Sequence, residues 1–159
     1  MKNRTTMDAR DTVSGSLAEC FVTLDKTRYN LMQLIDFESK LEISMAEVAI
    51  LGRTSKGHKP GGAKGTFKGK AHYNQSVFRK MLYKYQKTGV LPTFEIQVTN
   101  EDESSSVGRQ TVIHKDCLLD GGTLAKFAAG EDTLSEDISG TFDDWEMPES
   151  FKLANGMKG

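Results

Sequence analysis

Residues 35–45 carry the pattern that most restricts the fold. Ile35, Phe37, Leu41, Ile43 and Met45 fall on one parity, while Asp36, Glu38, Lys40, Glu42 and Ser44 fall on the other. This is period-two alternation, the mark of a strand with one apolar and one wet face. At strand rise the run spans about 35 Å, well beyond the usual five or six residues. Shorter runs around it read the same way. Leu17–Leu24 and the residues from Tyr29 onward are strand-like, with Asp25-Lys26 as a tight turn between them. Phe94, Ile96 and Val98 alternate with Glu95, Gln97 and Thr99, and further strands are expected at 66–73, 111–119, 124–128 and 133–142.

One segment breaks the β pattern with a helical one. Val77, Phe78, Met81, Leu82 and Tyr85 repeat at helical spacing opposite Arg79, Lys80, Lys84 and Lys87. With Asn74 or Ser76 as N-cap, Gly89 past the end and Pro92 beyond, the spacing predicts an amphipathic helix over about 75–88, docked on a sheet. The class is therefore mainly β: an antiparallel β-sandwich or barrel with one flanking amphipathic α-helix. The expected organisation is a polar N-terminal arm over 1–16, a single β domain over 17–145, and an acidic C-terminal tail over 146–159. Residues 52–65, GRTSKGHKPGGAKG, hold five glycines and four basic residues and read as a long, mobile loop. The stretch NEDESSSVG reads as a solvated loop.

Composition agrees with one globular domain: 159 residues, 37% hydrophobic and 27% charged. A chain this long needs no disulfide or metal staple. Cys20 and Cys117 lie far apart without metal-ligand spacing, fit a reducing compartment, and are expected to be buried small hydrophobes. No apolar leader core opens the chain and no membrane-length apolar run occurs, so neither export by a signal peptide nor membrane insertion is expected. The net charge of -1 conceals a division. Residues 1–90 carry 16 Lys/Arg against 8 Asp/Glu, and residues 91–159 carry 5 against 14. Between Glu47 and Glu95 there is no acid at all. Such a run points to a polyanionic partner, either nucleic acid or the acidic half of another copy of the chain, against the plainer reading of charges mixed on the folded surface.

Catalytic chemistry is sought and not found. Gly52 and Gly57 have phosphate-loop separation, but His58 stands where the lysine belongs, no Ser or Thr follows Lys59, and the segment leads into a strand rather than a helix. His58, His72 and His114 are isolated, with no metal-binding spacing; His58 is expected in the loop and the other two on strands facing water. Acid pairs such as Glu131-Asp132 and Asp143-Asp144 read as a solvated face. No nucleophile elbow is present. Neither catalytic activity nor a cofactor or metal is expected.

Taken in order, the TVSG leader, the hairpin, the long alternating strand, GRTSKGHKPGGAKGT, the helix VFRKMLYKYQKTG, the acidic-serine loop and the closing TFDDWEMPESF resemble the tail tube proteins of contractile-tailed bacteriophages, defective prophages and phage-tail-like bacteriocins. The resemblance runs from about Thr12 to Phe151 and carries nothing over to the first eleven residues or the last eight. It implies a structural subunit whose strands join a ring-shaped oligomeric β-barrel, six copies to a ring, with the rings stacked into the inner tube of a particle assembled in the bacterial cytoplasm. Implied partners are other copies of the chain, a sheath protein, a baseplate and a tape-measure protein, with DNA or other cargo passing through the lumen without specific binding. The subunit contact is expected at Gly52, Arg53, Lys56, Gly57, His58, Lys59, Gly61, Gly62, Lys64 and Gly65. The competing readings are a baseplate or tube-initiating protein of the same fold and a nucleic-acid-binding β-barrel. The second is opposed by a pI near 6.3 and the lack of a recognition motif.

Overall fold

A computed structural model of the chain describes residues 6–157. Its described residues form eight strands and one α-helix, with all strand pairs antiparallel, and they cluster into two compact units.

The first unit takes the chain up to Met32, Thr93–Cys117, and the residues from Asp144. Strands β1 (Ala18–Leu24) and β2 (Thr27–Asn30) form the expected hairpin. Asp25 and Lys26 both have positive φ, 49° and 66°, the twist that a two-residue hairpin loop needs. The other edge of β1 pairs with β5 (Phe94–Glu101), and β5 pairs with β6 (Arg109–Leu119). On the free side of β6 lies β8 (Asp144–Glu149), placing Trp145 opposite His114. Val22, Ile96 and His114 are in register across three strands and all are buried.

The second unit comprises Gln33–Pro92 and Leu118–Asp143. Its main feature is a hairpin of β3 (Leu34–Val48) and β4 (Gly57–His72), paired over almost their whole length. The outer edge of β4 is taken by β7 (Ser135–Phe142), whose own far edge receives the last two residues of β6. The helix α1 (Val77–Thr88) buries Phe78 and Met81 and ends at Gly89, whose φ of 75° lets its N–H close on the Tyr85 carbonyl at 2.8 Å. Each of those two buried side chains contributes about 1.5–3 kcal/mol. Ser76 occupies the N-cap position but makes no side-chain cap bond; Gln75 Oε1 accepts the Val77 N–H instead, at 2.7 Å.

Several expectations are corrected. The supposed loop over 52–65 is a turn only as far as Lys56, and Gly57–Gly65 are strand. A fifteen-residue strand leaves its backbone groups to be paired, and β4 pairs them with glycines in register. Pairing overrides the loop propensity of the sequence. The strand expected over 124–128 is irregular and pairs with no strand among the described residues, with Leu124 and Phe127 exposed. The C-terminal tail over 146–159 begins inside β8, and Pro148 sits where the β6–β8 register slips, the place in an edge strand where a missing N–H costs least. The polar arm over 1–16, whose first five residues lie outside the described ones, contains a 3-10 turn at Ala9–Asp11 and is hydrogen-bonded to the 102–107 loop. That loop is itself ordered: Asp102 and Ser105 are buried. The last two residues of the tail also lie outside the described ones.

Candidate functional site

The residues singled out in the sequence lie along one arm of the β3–β4 hairpin. Gly52 and Arg53 form its turn, with Gly52 at φ 81° and the Arg53 N–H donating to the Ile50 carbonyl at 3.1 Å. Lys56 reaches back across the turn to Glu47, Nζ to Oε2 at 3.5 Å. In the ladder, Gly57 faces Val48, His58 faces Glu47, Lys59 faces Ala46, Gly62 faces Ser44, Lys64 faces Glu42 and Gly65 faces Leu41. Gly61 is the extra residue of a β-bulge, and its neighbour Gly62 adopts φ 140°, a conformation that favours glycine. Arg53 and Lys59 make no ion pair among the described residues.

Gly65 is buried for a reason within the chain. A Cβ there would stand 2.5 Å from the Phe142 ring, so the glycine lets β7 seat that ring against β4. The rest of the named set is exposed or half-buried.

Strand alternation gives the hairpin two faces of different chemistry. On one, Phe37 and the buried Phe67 stack at 6.0 Å between centroids. Further along that face the cover ends: Leu41, Ile43 and Met45 are 45%, 52% and 57% exposed. Leu51 in the turn is fully exposed. The opposite face sets Asp36 against Lys70, Glu38 against Lys68 and Glu42 against Lys64, with Asp137 of β7 on the far side of Lys70. Lys40 pairs with Glu38 at 3.2 Å. Opposite charges in cross-strand register keep this face wet and close to neutral.

Other charged groups serve the fold. Arg79, counted in the sequence among the solvent-facing lysines of the helix, turns inward to the Glu136 carboxylate and the Gln75 carbonyl, with its guanidinium 4.5 Å from the centre of the Tyr73 ring. Gln75 Nε2 donates to the other Glu136 oxygen at 2.9 Å. Glu136 is 5% exposed, so both charges are desolvated and depend on each other. His114, expected to face water, is 1% exposed, and its Nδ1–H donates to the Ile96 carbonyl at 3.0 Å. Burial holds its pKa below the ordinary 6.5, partly offset by that hydrogen bond. Cys117 is fully buried, as the sequence predicts, whereas Cys20 is half-buried, with its thiol pushed up to about 12 by desolvation. Among the described residues, no group of three or more His, Cys, Asp or Glu is placed to hold a metal ion, and no helix is long and apolar enough to cross a membrane.

Comparison with known proteins places the chain in a family. A family model described as phage tail tube protein matches residues 5–149. The chain belongs to the phage tail tube protein family. Among its relatives, the phage-like element PBSX protein XkdM of Bacillus subtilis is 30% identical over 143 residues, covering 90% of this chain and 95% of that one. The fold of the tail tube protein is shared with a chain of the anti-feeding prophage baseplate, at a TM-score of 0.62 and 12% identity, covering 86% and 94% of the two chains. A chain of the sheath-tube complex of an extracellular contractile injection system matches at 0.62 and 11% identity, covering 82% and 88%. The mainly β class with one flanking helix, expected from the sequence, is therefore the tail tube fold.

Proposed function

We propose that this tail tube protein forms stacked hexameric rings of the inner tube of a contractile phage or phage-tail-like particle, a conduit for DNA or other cargo. The observation that carries the reading is the exposed apolar face of the β3–β4 hairpin: Leu41, Ile43 and Met45 have the chemistry of a core, and the described residues leave about half of each exposed. Burying their exposed halves against a neighbour contributes about 1 kcal/mol per side chain, repeated at every subunit of a ring. β3 is also the terminal strand of its sheet among the described residues, and an edge strand is a template for another chain's strand. The balanced polar face of Asp36, Glu38, Lys40, Glu42, Lys64, Lys68 and Lys70 suits a lumen that passes a polyanion without holding it.

In this reading residues 17–145 make the tube domain. The segment from Gly52 to Gly65, with Arg53, Lys56, Gly57, His58, Lys59, Gly61, Gly62 and Lys64, is its subunit contact, and the sheath, the baseplate and a tape-measure protein are its partners. The role is structural rather than enzymatic, in a particle assembled in the bacterial cytoplasm. Six-fold order is supported by a fold match to a gene transfer agent tail refined with C6 symmetry. Negative-stain microscopy of the purified chain across a concentration series tests the reading. Six-fold rings that stack into tubes of open-ended length are expected. A single ring that never stacks would make the protein a tube initiator, and a monomer at every concentration would overturn the proposal.

A further inference from the structure

Two segments far apart in the sequence meet on one loop. From the N-terminal side, Asp11 Oδ1 accepts both the N–H of Ser106 (3.0 Å) and its hydroxyl (2.7 Å). The Asp11 carbonyl accepts the Ser105 hydroxyl at 3.0 Å, and the Ser14 N–H donates to Asp102 Oδ2 at 3.0 Å. From the C-terminal side, the Lys152 N–H donates to the Val107 carbonyl at 2.7 Å, and the Asn155 N–H donates to Ser106 Oγ at 3.2 Å. Asp102 is anchored in turn by the Ser104 N–H and hydroxyl, at 3.0 and 2.6 Å.

The chemistry of one hydroxyl joins these contacts. A serine hydroxyl has one proton to give and lone pairs to receive with. Ser106 spends its proton on Asp11, and that fixes the direction in which its oxygen presents a lone pair to Asn155. Donation to a carboxylate also makes the oxygen a better acceptor, since linked hydrogen bonds polarise one another. We propose that the 102–107 loop is a latch in which the Ser106 hydroxyl couples the N-terminal segment to the C-terminal one, so that the two leave the body of the protein together. Neither end then swings out alone, and a contact that displaces Asp11 frees the segment around Asn155 as well. The proposal stands within a single chain and does not depend on ring formation.

Hydrogen exchange on the purified full chain at dilute concentration tests it, following amides 12–17 and 152–157 with the strand amides of β5 and β6 as reference. Asp11→Ala, which removes no atom that touches the C-terminal segment, is expected to speed exchange in both segments by about threefold to tenfold, the worth of one hydrogen bond. Ser106→Ala should do the same, and Asp11→Asn, which keeps an Oδ1 acceptor, should restore most of the protection. Faster exchange at 12–17 with unchanged exchange at 152–157 in Asp11→Ala overturns the coupling. Equal acceleration of the β5 and β6 amides overturns it too, because the contacts would then be holding the fold rather than its ends.

Discussion

At the scale of single residues, the sequence misplaced side chains whose neighbours come from distant segments. His114 alternates correctly along β6, but which face of that strand is covered depends on β5 and β8, and nothing local encodes it. Glu136 lies in the strand expected over 133–142, and only the fold brings Arg79, fifty-seven positions away, to its carboxylate. Ser105 and Ser106 likewise gain partners from distant segments, Asp11 on one side and Asn155 on the other. Burial of His114 has a consequence for pH. Its folded pKa lies below the unfolded value of 6.5, so at acidic pH the unfolded state binds the proton more readily than the folded one. Stability is therefore full above pH 6.5 and declines as the pH falls below it, towards the folded pKa. Thermal melting between pH 7.5 and 5.5 should show the midpoint dropping on the acid side, and His114→Gln should flatten that dependence while lowering stability at pH 7.5. A wild-type midpoint that holds constant over the interval would mean that the imidazole takes up its proton without loss.

At the scale of elements, the fold is legible in the sequence wherever a period is long. The alternation over 35–45 became the core of β3, the helical spacing over 77–85 became α1, and the Asp25-Lys26 turn lies where the pattern put it. It is obscured where composition stands in for a period. Glycine and lysine disguised the first half of β4, and a lone tryptophan with a proline disguised β8, because pairing with a neighbouring strand supplied what propensity lacked. The β3–β4 hairpin is thus a rigid ladder offering an apolar face, and the proposed contact follows from that face. Ile43→Glu puts a carboxylate on the exposed side, where the free subunit should lose no more than about 0.5 kcal/mol. Assembly should fail, since the charge would be buried without a partner in every subunit contact. Wild-type melting with an absence of rings in micrographs is the expected pair of results; rings at wild-type yield would show that this face stays open to water.

At the scale of the whole molecule, the charge division of the sequence is mostly consumed by the fold. Antiparallel pairing of β4 with β7 sets Lys70 beside Asp137, and the helix meets the acidic half through Arg79 and Glu136. Counted by compact unit, the two sets of residues hold 9 basic against 12 acidic and 12 against 10, a much smaller contrast than the linear halves suggest. Basic charge with neither an ion pair nor a cross-strand acid among the described residues remains in two places within the acid-free stretch: at Arg53 and Lys59 of the hairpin turn, where Lys56 pairs with Glu47, and at Lys80, Lys84 and Lys87 of the helix. Of the two, the turn belongs to the proposed subunit contact, so electrostatic steering of assembly is expected there. Complementary charge acts on association rate and register more than on final affinity, and an exposed pair contributes only about 0.2–1 kcal/mol, so the effect depends on repetition around a ring. Lys56→Glu/Lys59→Glu is expected to slow tube growth, followed by light scattering, most at low salt where screening is weakest. Melting of the free subunit should stay near wild type, because both positions are exposed. Growth matching wild type at low salt would mean that apolar contact and strand pairing direct the stack alone, with the basic turn left to solvent.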